Sequence, residues 1–482
     1  MNNLKNDIIS GLIWRFLERC GAQGISLVVS IILARLLAPS EFGMIALVTA
    51  ITNILRVFAE SGLGQGLVQK KDLEEGDFST ALIGNIGIAG FLYVGIFFAS
   101  PWIAKFYDIP ELNLVIRVLA INVLIGGVKG ILQAEIQRNM QFKRFFWATI
   151  IGTIVSAFVG IFMAINHMGV WALVFQQLSN ITIDTIILWY ALRCKIKAVF
   201  SLESLKKLYA YSWKIVVSHL FDQIYVNIYS LAIGKIYTGE DLSYYNKGEG
   251  FPHYIASNLN SSIQMVMFPA FSSLQDNKKN IKGLVKKSIK MSTFIVFPMM
   301  AGLAAVSEEF ISIFLTDKWL PCVPYLKFCC FLYALNPVHI FNLEAIKAIG
   351  RSDIYLKLEL EKKVIGSLIF LATLPYGLSV MMLGRCLCGI CAVFINIHPN
   401  KRLLDYGLKE QLVDLAIPFS LSFAMMLCIM MLSNLLSLNL YIKFFVEIFL
   451  GIIIYLLGAM IFRVKILDEI FGLVGGMWKK QK

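Results

Sequence analysis

Apolar runs long enough to cross a bilayer follow one another along almost the whole of this 482-residue chain. The composition is 58% hydrophobic and 16% charged, whereas soluble proteins carry about 25% charged residues. The apolar residues number about 280, which suffices for roughly fourteen membrane helices of about 20 residues each. The pattern therefore predicts an all-α polytopic membrane protein and excludes a soluble enzyme with a membrane anchor.

Short polar breaks separate the apolar runs and define fourteen predicted transmembrane helices. Each run is too long for a barrel strand and lacks strict alternation, so helices are the expected structure. The first run contains Arg15, Glu18 and Arg19, which argue against a cleavable signal peptide. The predicted spans are 10–34, 42–61, 79–100, 112–134, 146–166, 170–192, 211–235, 250–272, 289–306, 323–346, 356–375, 378–397, 412–433 and 439–462.

Lysine and arginine are concentrated in every second break between the runs. This alternation follows the positive-inside rule and predicts that both termini are cytoplasmic. The formal net charge of +13 is therefore interpreted as a topology signal, and no nucleic-acid partner is expected. The basic breaks include Lys70, Lys71, Arg138, Lys143, Arg144, Lys206, Lys207, Lys282, Lys286 and Lys290, whereas the opposite breaks hold few cations, among them Arg35, Lys105, Lys235, Lys318 and Lys327.

An internal repeat relates the two halves of the chain. Residues 34–42 join the first two spans as residues 234–242 join the seventh and eighth, and residues 99–106 match residues 306–313. An offset of about 200 residues, or six helices, predicts two parallel repeats, an arrangement typical of transporters. The predicted domains are an N-terminal lobe at 1–192, a basic cytoplasmic linker at 193–210, a C-terminal lobe at 211–397, and two extra helices with a cytoplasmic tail at 398–482.

Polar stripes on the first two helices of each repeat predict a wet cavity between the two halves. Charges inside membrane spans are costly and default to functional hypotheses, and arginine suits an anionic substrate because it stays charged and binds phosphate oxygens in pairs. Snorkelling to the interface is the alternative for Arg15, Arg56 and Lys214. The predicted cavity residues are Arg15, Glu18, Arg19, Gln23, Asn53, Arg56, Glu60, Lys214, Asp222, Gln223, Tyr225 and Asn258.

The acidic residues in these stripes are expected to balance the charge of the arginines or to bind a coupling ion, H⁺ or Na⁺. No catalytic residue, metal site or cofactor is predicted, and no Walker motif is present in the sequence. The cysteines are interpreted as small packing residues, although Cys386, Cys388 and Cys391 cluster beside Arg385 without a functional explanation.

Six stretches in order along the chain carry a resemblance to a known family. They are LLAPSEFG at 36–43, ESGLGQ at 60–65, GVWALV at 169–174 with Gln176 and Gln177, FPAF at 268–271, GRSD at 350–353 and YGLKEQ at 406–411. With them the chain resembles the bacterial Wzx-type polysaccharide flippases of the MOP exporter superfamily, in the colanic-acid exporter and lipopolysaccharide biosynthesis branch.

The resemblance implies a MATE-like fold of two six-helix lobes plus two extra helices. It also implies a flippase of the bacterial inner membrane that moves oligosaccharide repeat units linked to undecaprenyl pyrophosphate by alternating access. Polysaccharide polymerases and glycosyltransferases of the same pathway are expected partners, with membrane lipid around the chain. A MATE-type drug or cation antiporter is the alternative function. A membrane-embedded polymerase or ligase is a weaker one, because no loop is long enough for a catalytic domain.

Overall fold

The computed structural model describes residues 2–60, 62–70, 72–74, 76–192, 199–273, 278–435, 438–464 and 466–467. In these ranges the regular structure is helical: α1 (Asn2–Leu36), α2 (Pro39–Glu60), α3 (Leu63–Gln69), α4 (Asp77–Tyr107), α5 (Leu112–Leu119), α6 (Ile121–Arg138), α7 (Phe142–Ile165), α8 (Val170–Leu192), α9 (Leu202–Ile236), α10 (Gly239–Ser273), α11 (Lys278–Ala305), α12 (Ser307–Phe314), α13 (Val323–Ala334), α14 (Asn336–Ala348), α15 (Ser352–Thr373), α16 (Leu378–Leu404), α17 (Leu408–Leu435) and α18 (Leu440–Ile461), with short 3₁₀ turns at Asp317–Cys322 and Leu374–Tyr376.

Ten helical segments in the described residues are long and apolar enough to cross a membrane. The prediction of an all-α polytopic membrane protein is confirmed at this level. The other four predicted spans lie in α8, α9, α10 and α15, which are helical but are not among those ten. The count of fourteen transmembrane helices stays a prediction.

The chain forms two compact units, Met1–Asn246 and Lys247–Lys482. In the first unit α7 packs against α8 and α1, α4 packs against α6, and α9 packs against α2, α3 and α4. The buried amide of Asn85 on α4 joins three of these helices, since it donates to the Ala59 oxygen on α2 at 2.5 Å and to the Gly127 oxygen on α6 at 2.7 Å.

Helix α9 begins inside the stretch predicted as a linker. Ser201 caps its first turn by accepting a hydrogen bond from the Ser204 amide, a favoured residue at this position. Residues 193–198 of the predicted linker and the C-terminal tail from 468 lie outside the described residues. The division of the chain into lobes stays a prediction.

The two turns related by the repeat have the same local structure. The Glu41 carboxylate accepts a hydrogen bond from the Ala38 amide at 2.7 Å, and the Asp241 carboxylate accepts one from the Thr238 amide at 3.1 Å. Each acid lies three residues into the turn and satisfies a backbone N–H that opens the following helix. The repeat read from the sequence therefore corresponds to two equally built helix–turn–helix connections.

In the second unit α11 packs against α13, α14 and α17, while α15 packs against α16, and α17 against α18. One predicted span, 323–346, is divided into α13 and α14 at Leu335. Pro337 explains the break, because proline removes a backbone donor and crowds the preceding turn. An apolar core around Phe294, Phe444 and Tyr455 holds α18 against α11 and α17.

Candidate functional site

Helix α1 carries the first polar stripe of the predicted cavity. The Arg15 guanidinium lies 3.4 Å from the Glu18 carboxylate and stacks over the rings of Phe142 and Phe145 on α7, 5.3 and 4.6 Å from their centroids. Arg15 is thus held against α7 by a weak ion pair and two cation–π contacts.

Arg19 lies one turn further into the same span and is half-buried. No hydrogen bond, ion pair or ring contact joins its guanidinium to any other side chain or backbone group of the described residues. Four residues on, the Gln23 Oε1 atom is buried and has no hydrogen-bond partner in the same ranges. The face of α1 that carries Arg19 and Gln23 therefore presents unsatisfied polar groups inside a membrane helix.

Helix α2 carries the second stripe, with Asn53, Arg56 and Glu60 all half-buried. The Arg56 Nε and Nη2 atoms donate to one oxygen of Glu60, at 2.9 and 2.5 Å. This oxygen faces Gly126 of α6, where an added Cβ would come within 3.2 Å of it. The pair is local, four residues apart on one helix, and leaves the remaining N–H groups of Arg56 for other partners.

The predicted residues of α9 and α10 are half-buried apart from one exposed lysine. Lys214 is exposed and lies 5.9 Å from the Trp213 ring. Asp222 and Tyr225 are half-buried, and the Gln223 side chain accepts a hydrogen bond from Asn227 at 3.2 Å. Asn258 donates to the Tyr254 carbonyl at 3.0 Å. The roles of all twelve cavity residues stay predictions.

The first unit contains a buried ion pair that was not predicted from the sequence. The Lys129 ammonium on α6 lies 2.6 Å from the Asp184 carboxylate on α8, with side chains only 15% and 2% exposed. Both charges interact electrostatically with Glu18 on α1. Asp184 is the single acidic residue of an apolar run, so no spacing pattern marks it in the sequence.

A second intramembrane cluster explains Arg385. Its Nη2 atom on α16 lies 2.5 Å from the Glu249 carboxylate on α10, which also accepts a hydrogen bond from the Tyr333 hydroxyl on α13 at 2.9 Å. His253 Nδ1 lies 3.1 Å from the same hydroxyl. The arginine that had no explanation in the sequence is therefore neutralised by a glutamate from another helix.

Two of the motif stretches that carry the resemblance lie in polar networks of the second unit. Gln411 exchanges hydrogen bonds of 2.9 Å with Asn342, and Tyr406 donates to Asp414 at 2.9 Å. In the turn before α15, the Arg351 guanidinium binds both carboxylate oxygens of Asp353 and lowers the pKa of that group to about 2. These contacts hold helix ends and turns, which indicates a structural role.

An apolar crevice opens in the second unit between α11, α13 and α17. Its volume is about 420 Å³, and its walls include Phe297, Met300, Phe331, Phe419 and Phe423. The rings of Phe419 and Phe423 are nearly parallel, at 7° and 6.1 Å between centroids. Lys327 is the one charged residue among the lining residues described. Such a crevice suits a hydrocarbon chain.

The described ranges contain neither a paired cysteine nor a cluster of side chains suited to a metal ion. The eight cysteines described there, including Cys386, Cys388 and Cys391, are free thiols. Within those ranges no group of three or more His, Cys, Asp or Glu side chains is placed to hold a metal ion.

Comparison with known sequences identifies relatives in polysaccharide pathways. A family model described as polysaccharide biosynthesis protein matches residues 32–324. The chain is 26% identical to the teichuronic acid biosynthesis protein TuaB of Bacillus subtilis (strain 168), over 73% of this chain and 74% of TuaB. It is 24% identical to the succinoglycan biosynthesis transport protein ExoT of Rhizobium meliloti (strain 1021), over 65% and 63% of the two chains. It is 22% identical to the lipopolysaccharide biosynthesis protein WzxC of Escherichia coli (strain K12), over 87% and 86%.

Solved structures show the same fold at low sequence identity. The inward closed conformation of the lipid II flippase MurJ aligns with a TM-score of 0.75 at 15% identity, covering 95% of this chain and all of MurJ. An inward-facing multidrug resistance MATE transporter of the MOP superfamily aligns with a TM-score of 0.59 at 14% identity, over 79% and 94% of the two chains. The expectation of a MATE-like fold is confirmed, whereas its division into two six-helix lobes and two extra helices stays a prediction.

Proposed function

Because the chain belongs to the polysaccharide biosynthesis protein family, we propose that it is a flippase for lipid-linked oligosaccharides. It moves repeat units carried on undecaprenyl pyrophosphate across the cytoplasmic membrane, by alternating access, for a surface polysaccharide such as O-antigen, capsule or exopolysaccharide. A relative named as a succinoglycan biosynthesis transport protein supports this proposal, and the fold shared with a lipid II flippase is consistent with it.

The unpartnered guanidinium of Arg19 carries the proposal. Placing an arginine inside a membrane helix is costly, about 2.5–3.5 kcal/mol at the helix centre on insertion scales, and within the described residues no carboxylate offsets that cost. An anionic ligand removes the deficit, and phosphate oxygens match the guanidinium geometry. We assign the pyrophosphate to Arg19 and Arg56, whose Glu60 partner pre-orients its side chain.

The hydrocarbon tail of the substrate needs an apolar surface to contact. The crevice between α11, α13 and α17 provides aromatic and methionine side chains without carboxylates in its lining. Helix α17 lies outside the six-helix repeats, so it can border the tail while the lobes change conformation. We assign the polyprenyl chain to this crevice.

Energy coupling, topology and partners complete the proposal. In this proposal, transport is coupled to H⁺ or Na⁺ and needs no cofactor. Both termini lie in the cytoplasm. The chain acts with the glycosyltransferases and the polymerase of its pathway. It performs no bond-making chemistry itself. The basic residues alternate between breaks as the positive-inside rule expects for this orientation.

A deletion strain tests the function and separates it from drug or cation antiport. Loss of a flippase leaves lipid-linked repeat units on the cytoplasmic leaflet and removes surface polysaccharide, while sensitivity to cationic drugs stays unchanged. Drug sensitivity with normal surface polysaccharide would instead support an antiporter. As a control, complementation with the wild-type chain should reverse whichever phenotype the deletion produces.

A further inference from the structure

Three glutamates and two lysines meet where α12 packs against α18 in the second unit. Glu308 pairs with Lys327 at 3.2 Å, and Glu309 pairs with Lys443 at 2.6 Å. Glu447 follows Lys443 by one helical turn, and its carboxylate lies 3.9 Å from the ammonium that Glu309 already binds. The cluster therefore contains one carboxylate more than it has cations.

The surplus carboxylate is also the most deeply buried of the three. Glu447 is 1% exposed and Glu309 is 7% exposed, whereas the Glu308 side chain is 66% exposed. Neither carboxylate oxygen of Glu447 makes a hydrogen bond to a donor in the described residues, although the Ser433 side chain of α17 faces it. The rings of Phe310 and Phe314 on α12 pack against Phe444, which lies three residues before Glu447, so the surroundings are aromatic.

A buried carboxylate whose nearest cation is already bound to a second glutamate is costly to keep charged, and taking up a proton removes that cost. A metal ion is a poor alternative, because Na⁺ or a divalent cation needs several oxygen ligands and the Lys443 ammonium would repel it. The groups that face Glu447 are Lys443 on its own helix, Glu309 on α12 and Ser433 on α17, with Glu308 next to the Lys443–Glu309 pair.

We propose that Glu447 is a proton-binding residue, reached through the Glu309–Lys443 pair, and that its proton is the ion coupled to transport. The pair is less buried than Glu447 and lies one turn nearer the start of α18, so it is placed to pass a proton between Glu447 and the surface. Proton binding stands on the geometry of this cluster alone, whereas the coupling rests on the proposed flippase function.

Labelling with dicyclohexylcarbodiimide tests proton binding on the full-length protein in detergent. The reagent adds a protonated carboxyl group across its C=N bond and rearranges to a stable N-acylurea that contains all atoms of both reactants. Peptide mass spectrometry should find the adduct on Glu447 at neutral pH, with labelling lost in Glu447→Gln. Glu309→Gln should reduce labelling, because Lys443 is then free to bind the Glu447 carboxylate in its charged form.

Glu308→Gln is the matched control, since Glu308 is exposed and already paired; labelling of Glu447 should be unchanged. Absence of the adduct on Glu447 in folded protein at neutral pH would overturn the proton site. Folding of each variant is followed by size-exclusion chromatography and thermal stability, and Glu447→Gln should fold normally because glutamine has the shape of the neutral acid.

Export by complemented deletion cells tests the coupling separately. Glu447→Gln should abolish surface polysaccharide while the protein remains in the membrane at wild-type amounts, and Glu308→Gln should export normally. Export by Glu447→Gln at the wild-type level would overturn the coupling and leave the labelling result standing. If the chain proves not to be a flippase, neither labelling outcome changes.

Discussion

Gly43 on α2 lies against the backbone of Gly239, the first residue of α10. A Cβ built on Gly43 would come within 1.8 Å of the Gly239 carbonyl oxygen, a distance that no side chain tolerates. Both glycines belong to the turns related by the internal repeat, at 34–42 and 234–242 with their flanking helices. The two repeat-related connections therefore meet backbone to backbone inside the unit Met1–Asn246.

Replacing Gly43 with alanine should destabilise the protein, because the new methyl group forces α2 away from the Gly239 carbonyl. Overpacking of a tight contact costs about 1–3 kcal/mol, and a clash with backbone belongs at the upper end. Thermal unfolding in detergent and the amount of membrane-inserted protein measure the loss. Gly90→Ala on α4 is the control, since no atom lies within 4 Å of its Cβ position, and a Gly43→Ala variant as stable as this control would refute the contact.

For the buried Lys129–Asp184 pair, we expect the loss of stability to depend on whether one charge is removed or both. Lys129→Met leaves the Asp184 carboxylate, 2% exposed, without its cation, and losing one partner of a buried pair costs about 3–5 kcal/mol. Lys129→Met combined with Asp184→Leu should recover most of this stability, because a well-packed apolar pair replaces the charges. Thermal unfolding of the single and the double variant measures both losses of stability. Equal losses in the two variants would contradict this prediction.

The contact between Arg385 and Glu249 predicts energetic coupling between α16 and α10. A double-mutant cycle with Arg385→Gln and Glu249→Gln should give a coupling energy of about 0.5–3 kcal/mol, as found for residues within one hydrogen-bond network. The exposed pair Lys357–Glu361 is the control, and its coupling should be close to zero because solvent screens it. A cycle in which the two pairs gave the same value would show that Arg385 and Glu249 do not interact.

Local pattern predicted helices and turns well in this protein. Apolar runs indicated where helices lie, although α10 and α11 begin at residues 239 and 278 and not at 250 and 289. The repeat at 34–42 and 234–242 corresponds to two turns capped in the same way. These features depend on residues close together in the chain, which is the information that spacing carries.

Partners distant in sequence were not predictable in the same way. Arg385 and Glu249 are 136 residues apart, and nothing in either neighbourhood selects the other. Asp184 and Glu447 appear in the sequence as single acids in apolar runs, and only packing shows that one is paired with Lys129 while the other is left in surplus. Such pairings depend on which helices are neighbours, and a single sequence does not contain that information.

Translocation in proteoliposomes tests whether Arg19 and Arg56 bind the pyrophosphate of a lipid-linked oligosaccharide. The substrate is the lipid-linked oligosaccharide that accumulates in the deletion strain, and its appearance on the opposite leaflet is followed by accessibility to a glycan-cleaving enzyme. Arg35→Ala, on an exposed residue at the end of α1, is the matched control. We expect the wild type and Arg35→Ala to translocate the substrate, whereas Arg19→Ala combined with Arg56→Ala should reconstitute equally well and translocate none. Translocation by that double variant at the wild-type rate would contradict this expectation.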